Sequence, residues 1–253
     1  LSEREKLHLT VRYHETMSGD IEKATETYEI WSRMYPRDPL PFNGLSARYQ
    51  VVGQYEKAVE AARNSLALSS RNYVPYTNLA ASLLALNRFD EARQICQKAA
   101  AVQRDSLGTH RVLYELAYIH HDRTSMQKEV DWARGTEREN DMLGTEASVL
   151  IANGKLQAGR QLFQRSWASS VGSGLQEDAA YSMAGEALAE ADLGNFDQVR
   201  AQAATALKMG HGIDALETAA EALALAGETR RAEDLVNELR RRFPKHSVLN
   251  ESS

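Results

Sequence analysis

The sequence predicts an all-α chain of about seven consecutive helical hairpins, and three observations predict it. The first is apolar spacing. Phe42, Leu45, Tyr49 and Val52 recur every three or four residues, and after Gly53 the residues Tyr55, Ala58, Val59, Ala62, Leu66 and Leu68 do nearly the same. The second is punctuation: Gly19, Gly53, Asn87, His121, Gly154, Gly194 and Gly227 are separated by 34, 34, 34, 33, 40 and 33 residues. Glycine, and after it asparagine, enters the left-handed region most readily and so closes one helix and reverses the chain. His121, beside Asp122, is the exception. The third is a small residue five positions after the turn. Ala24, Ala58, Ala92, Met126, Gly159, Val199 and Ala232 stand there, mostly small, and small residues let antiparallel helices approach closely.

Each hairpin has its own local grammar. Repeat one spans residues 2–36, with Asp20 as the N-cap of its second helix; Lys23 stands where a capping box needs Glu or Gln. Its Tyr28 and Trp31 are expected to pack on the following repeat. Repeat two, 38–70, opens with Pro41 in a first turn, where a missing N–H costs nothing. Repeat three, 72–105, turns Tyr76, Leu79, Leu83, Leu86, Phe89, Ala92, Ile95 and Ala99 inward and places Cys96 in a buried slot. Repeat four, 107–135, keeps the spacing but loses the small turn residue. Repeat five, 140–169, recovers Gly154. The 40-residue spacing puts roughly six extra residues near 169–176, read as an insertion loop or longer helices. Repeat six, 177–212, is Ala-rich. Repeat seven, 213–244, ends in Arg240, Arg241, Arg242 and Lys245, cations that suit a helix C-terminus. All five prolines fall at or near repeat junctions, where they interrupt no helix interior.

Composition sets limits on function. Thirty basic against 35 acidic residues, a formal charge of −5, give no overall footprint for nucleic acid. No apolar run approaches the roughly 18–20 residues that span a bilayer, and no secretory signal opens the chain, so the segment is expected to be soluble with no direct membrane insertion. Cys96 is alone and forms no internal disulfide. Leu1 stands where an initiator Met would be, which predicts a segment of a longer protein. The residues set no oligomeric state.

Catalytic patterns are missing. There is no GxxxxGK[ST], HExxH or GxSxG, and the kinase glycine loop and its two aspartates are absent; HHDR at His120 only echoes a catalytic loop. His110, His120, His121 and Asp122 are close in sequence, but His120 and His121 diverge by about 100° on a helix, which is poor for chelation. Trp31, Trp132 and Trp167 all fall in second helices, where packing between repeats accounts for them better than ligand stacking. The reading is non-catalytic, with no cofactor and no metal.

The small and aromatic pattern Phe42, Leu45, Tyr49, Gly53, Tyr55, Ala58 resembles the tetratricopeptide repeat, and seven copies cover nearly the whole chain. The resemblance implies a single right-handed α-solenoid over residues 1–253 whose first helices line a concave groove for a protein or peptide partner. Mapped onto this sequence, the groove positions are Asn43, Ala47 and Gln50, then Thr77, Asn78 and Ala81, then Arg111, Glu115 and Tyr118. An amide such as Asn78 donates and accepts at once and so grips a peptide backbone; Arg111 adds a contact to a carboxylate and Tyr118 an apolar platform. The two-carboxylate clamp of the chaperone-tail subtype is absent, since Leu9, Tyr13, Gly108 and Val112 occupy its positions. Residues 1–46 look like the repeat region that follows the catalytic domain in certain bacterial serine/threonine protein kinases, notably acidobacterial ones. That likeness implies a docking or regulatory role in signalling. It places the segment in the cytoplasm or tethered beyond a membrane span of the parent protein. A partner-sensing region of a transcriptional regulator and a free-standing scaffold are the alternatives.

Overall fold

The computed structural model describes the backbone of all residues except Glu137 and 244–253, and the side chains of all of these except Met17. The expected end of repeat seven at Pro244, with Lys245 and the tail after it, lies outside the described residues. Among those described there are fourteen α-helices and no strands.

The helices pair as the turns predict. Repeat one is α1 (Glu3–Tyr13) and α2 (Ile21–Met34), repeat two α3 (Pro39–Val51) and α4 (Tyr55–Leu68), repeat three α5 (Val74–Ala85) and α6 (Phe89–Ala101). Repeat four is α7 (Leu107–Ile119) and α8 (Arg123–Ala133), and repeat five α9 (Glu139–Ala152) and α10 (Leu156–Gly172). Repeat six is α11 (Gln176–Asp192) and α12 (Phe196–Met209); repeat seven is α13 (Ile213–Leu225) and α14 (Thr229–Arg242). All seven expected turn residues have φ between 57° and 75°. Gly53 sits at +70° with open space where a Cβ would stand, so glycine is there for its backbone and not for close packing. Five residues on, Ala24, Ala58, Ala92, Gly159, Val199 and Ala232 are buried. At Gly159 a Cβ would fall 2.9 Å from the Ala147 carbonyl oxygen, so α9 and α10 approach closely there.

Two local features depart from the sequence reading, and a third decides between two alternatives it left open. Residues His14–Ser18 form a π-helical turn between α1 and Gly19, which the apolar spacing did not signal. The extra length in repeats five and six lengthens helices: α10 runs to Gly172 and α11 begins at Gln176, so the expected insertion loop at 169–176 is mostly helix. Val52 and Leu68, read as the last members of each apolar periodicity, are exposed because each caps the end of its helix or lies in its final turn.

The caps follow elementary hydrogen-bond logic. Asp20 accepts from the Lys23 backbone N–H at 3.0 Å, and Lys23 returns an ion pair at 3.3 Å in place of a capping box. Asp38 caps α3, pairs with Arg4 at 2.6 Å and accepts from Trp31 Nε1 at 3.1 Å, so one carboxylate ties repeat one to repeat two. Tyr28 packs against Gly44, where a Cβ would collide with its ring.

The helices group into two compact units, Leu1–Trp132 and Ala133–Pro244. In unit 1 the central core gathers Val59, Leu79, Leu83, Ala92, Cys96, Val112 and Leu116. Cys96 is buried as expected, and burial pushes its thiol up to about 12. Unit 2 gathers Ala147, Ile151 and Phe163, and it also buries two acids, Glu186 and Glu190, on α11.

Candidate functional site

In unit 1, α3 packs on α5 and α5 on α7, so first helices stand side by side; α4 and α6 each bridge one first helix and the next. This layer carries every groove position read from the sequence.

The structure brings three of those residues together. Gln50 Nε2 donates to the Asn78 carbonyl oxygen at 2.5 Å and to Ser82 Oγ at 2.7 Å. Ser82 Oγ donates to the same Asn78 carbonyl at 2.8 Å, and Asn78 Nδ2 donates to Asn43 Oδ1 at 3.4 Å. Asn78 is only 9% exposed. Its amide donor is therefore directed at α3, and the network fixes α3 against α5. The sequence offered Asn78 as a peptide grip; the geometry gives it a scaffold role that holds Asn43 and Gln50 half-exposed beside it.

Thr77 turns elsewhere. Its Oγ1 lies 2.8 Å from Ser106 Oγ, and its methyl group fills the space a Cβ on Gly108 would need. Ser106 and Thr109 form a reciprocal cap at the start of α7, so Thr77 locks α5 to that helix end. Arg111, Glu115 and Tyr118 lie further along α7. Arg111 is exposed, and Glu115 and Tyr118 are half-buried. Burial raises the Glu115 carboxyl above the usual carboxylate range, against the opposing pull of Arg111.

Leu9 and Tyr13, noted in the sequence only as departures from a clamp, are 55% and 52% exposed at the α1 end of the unit. They occupy the register positions that Asn43 and Ala47 hold in repeat two. Only a register alignment on the turns identifies them.

The histidines do not converge. His110 is stacked on Trp132 and lies between Glu129 Oε2, 2.5 Å from Nδ1, and Asp105 Oδ2, 3.2 Å from Nε2. His120 Nδ1 lies 2.8 Å from the Leu116 carbonyl, His121 forms the turn, and Asp122 caps α8 through Ser125. His110 thus stands where repeats two and three have Phe42 and Tyr76, eleven residues before the turn. It pins α7 to α8 in the repeat whose small residues are missing.

Residues 52–108 match the tetratricopeptide-repeat family model. The matched stretch runs from the C-cap of α3 into α7 and carries the α5 side of the amide network, Asn78 and Ser82, but not Asn43 or Gln50. A crystal structure of a tetratricopeptide repeat protein from Parabacteroides merdae superposes with a TM-score of 0.52 at 13% identity, covering 98% of this chain and 96% of that one. A chain from the APC/C hetero-tetramer Cut9–Hcn1 superposes with a TM-score of 0.53 at 13% identity, covering 93% of this chain and 46% of that one. No curated protein matches the sequence. At these identities the likeness establishes the fold alone, an all-α solenoid of the tetratricopeptide-repeat type. No helix among the described residues is long and apolar enough to cross a membrane.

Proposed function

We propose that the chain is a non-catalytic interaction module whose first-helix layer in unit 1 receives a peptide or protein segment. The observation that carries this reading is the pairing of a fixed scaffold with adaptable contacts. The Gln50–Asn78–Ser82 network immobilises α3 and α5, while Arg111 projects from the adjacent α7 with Glu115 and Tyr118 beside it. A rigid surface loses little entropy when a partner docks, which leaves more of the contact energy as affinity. Arg111 supplies a planar donor fork for a carboxylate or a backbone carbonyl, and Tyr118 a flat face for an apolar side chain.

The test is selection of peptides from a displayed random library on the 253-residue chain, followed by affinity measurement on an Arg111→Ala, Tyr118→Ala variant. The variant is expected to keep its helical circular dichroism and to bind the selected peptides about tenfold more weakly. Equal binding by both forms removes this surface from the reading.

At a finer level, the likeness of residues 1–46 supports a docking or regulatory arm of a bacterial serine/threonine protein kinase. Reading the gene upstream of Leu1 decides it: a glycine-rich loop with catalytic and metal-binding aspartates supports the kinase, and a DNA-binding domain supports a transcriptional regulator. Further repeats alone support a free-standing scaffold.

A further inference from the structure

The connectors between repeats in unit 1 share one edge, because each second helix runs back to the start of the next first helix. Two hydrogen bonds join neighbouring connectors. Ser65 Oγ, in the last turn of α4, donates to the Pro39 carbonyl at 3.0 Å, and Arg104 Nε donates to the Arg71 carbonyl at 2.7 Å. The edge is apolar at one register. Met34 ends α2, Leu68 ends α4 and Val102 caps α6, each fifteen residues after its turn residue, and they are 52%, 39% and 44% exposed. Leu40 and Tyr73, just past the connectors, are exposed as well. In repeats four and five the same register holds Thr136 and Ser169, so the row belongs to repeats one to three. Single exposed apolar residues are ordinary on a protein surface; one at the same register of three adjoining repeats is not scatter.

Cations accompany the row. Residues 33–40, 68–74 and 98–105 contain five Lys and Arg against two acids, in a chain whose formal charge is −5. Arg33 and Lys98 lie in last turns, where free helix carbonyls favour them. Arg104 is occupied with the Arg71 carbonyl. Arg37 and Arg71 have no such duty: both lie in connectors, both are exposed, and neither side chain reaches an acceptor among the described residues. The acids nearby are already engaged. Asp38 caps α3 and pairs with Arg4, Asp105 faces His110, Glu3 holds Lys6, and Glu5 completes the cap of α1.

We infer that this connector edge docks an acidic segment of a partner protein that also carries apolar side chains. Carboxylates of the segment pair with Arg37 and Arg71 while its apolar side chains cover Met34, Leu68 and Val102. A nucleic acid would answer the arginines and leave the apolar row wet. An anionic bilayer is a plane, and a chain of net charge −5 meets it with repulsion from every acid within the roughly 8–10 Å screening length. The edge uses none of the groove residues, so it stands independently of the reading given for the groove.

The test uses the full chain, at low ionic strength, with a short fluorescein-labelled peptide of repeating Glu, Glu, Leu. A peptide of repeating Glu, Glu, Ala is expected to bind about fivefold more weakly, which separates the apolar row from charge alone. Arg37→Gln with Arg71→Gln, and separately Met34→Ser with Leu68→Ser, are each expected to weaken binding of the leucine peptide about fivefold, with circular dichroism unchanged. Arg230→Gln with Arg231→Gln removes an equal charge from exposed positions on α14 and is expected to change it by less than about twofold. Equal weakening by both arginine pairs overturns the inference in favour of bulk charge, and absence of peptide binding overturns it outright. Sedimentation with phosphatidylserine vesicles that is lost in the Arg37, Arg71 variant overturns it too, because the occupant is then a lipid surface. Self-association lost in the same variant does the same, because the occupant is then a second copy.

Discussion

Val59, Leu79 and Leu83 in unit 1 correspond, counted from their turns, to Arg160, Glu186 and Glu190 in unit 2. The first three pack as an apolar cluster. The second three are charged or ionisable, yet Glu186 and Glu190 are 3% and 0% exposed, as deeply placed as the leucines. One helical register therefore accepts two kinds of core, and the difference lies in how the polar atoms are satisfied. Glu190 receives Arg160 Nε at 2.5 Å, Arg160 Nη2 at 2.7 Å and Asn195 Nδ2 at 2.7 Å, and those bonds hold its carboxyl below the usual range. Glu186 lacks such donors. Burial, and then the charge of Glu190 one turn away, push its carboxyl up to about 7, with Arg160 opposing. An apolar core tolerates any pH; the ionic one carries a titration.

The largest test breaks the apolar side of the pair. Leu83→Glu buries a carboxyl with Val59, not an arginine, at the matching position, and is expected to destabilise unit 1 by ~3–5 kcal/mol or prevent its folding. Guanidinium unfolding of the variant measures this, and a loss below about 1 kcal/mol would show the two registers to be interchangeable. A smaller effect of opposite sign is expected from Glu186→Leu, which should stabilise unit 2 by ~1–2 kcal/mol at pH 8. The pH dependence follows from the direction of the shift. Between the unfolded value of 4.5 and the folded value of about 7, folded Glu186 keeps a proton that the unfolded chain has lost. Stability therefore falls as pH rises through that window and levels off above it. Unfolding of the wild type at pH 5 and pH 8 should show the fall, and the Leu variant should flatten it. The smallest effect concerns what the units share. Gly53 and Gly194, at φ +70° and +73°, both leave open space where a Cβ would stand. Valine at either position is expected to cost ~1 kcal/mol through the backbone alone. Unequal losses would mean that the two turns are not the same device.

Much of the fold was legible because turns and close approaches are local. The glycines, Asn87 and even His121 announced reversals through backbone sterics, and Asp20 announced a cap by its position. The buried acids were not legible. Glu186 and Glu190 look like ordinary solvent-facing helix residues until the turn register places them opposite Arg160, thirty residues away from Glu190. The same holds at the candidate site. Gln50, Asn78 and Arg111 were assigned to first helices, where they lie, but the bond from Gln50 to Asn78 spans 28 residues and depends on how α3 meets α5. The π-helical turn at His14–Ser18 leaves no trace in apolar spacing, since one additional residue per turn shifts the pattern only where the helix is already ending.

The repeated reversal also has a kinetic consequence. Each turn residue joins two helices whose contacting side chains lie within a few tens of residues, and the left-handed geometry it needs is set by its own backbone. Loops closed by such neighbours lose little chain entropy, so hairpins of this kind can zip before distant parts of the chain are available. During synthesis, the first pairs can therefore fold as they leave the ribosome and present a finished edge to the next.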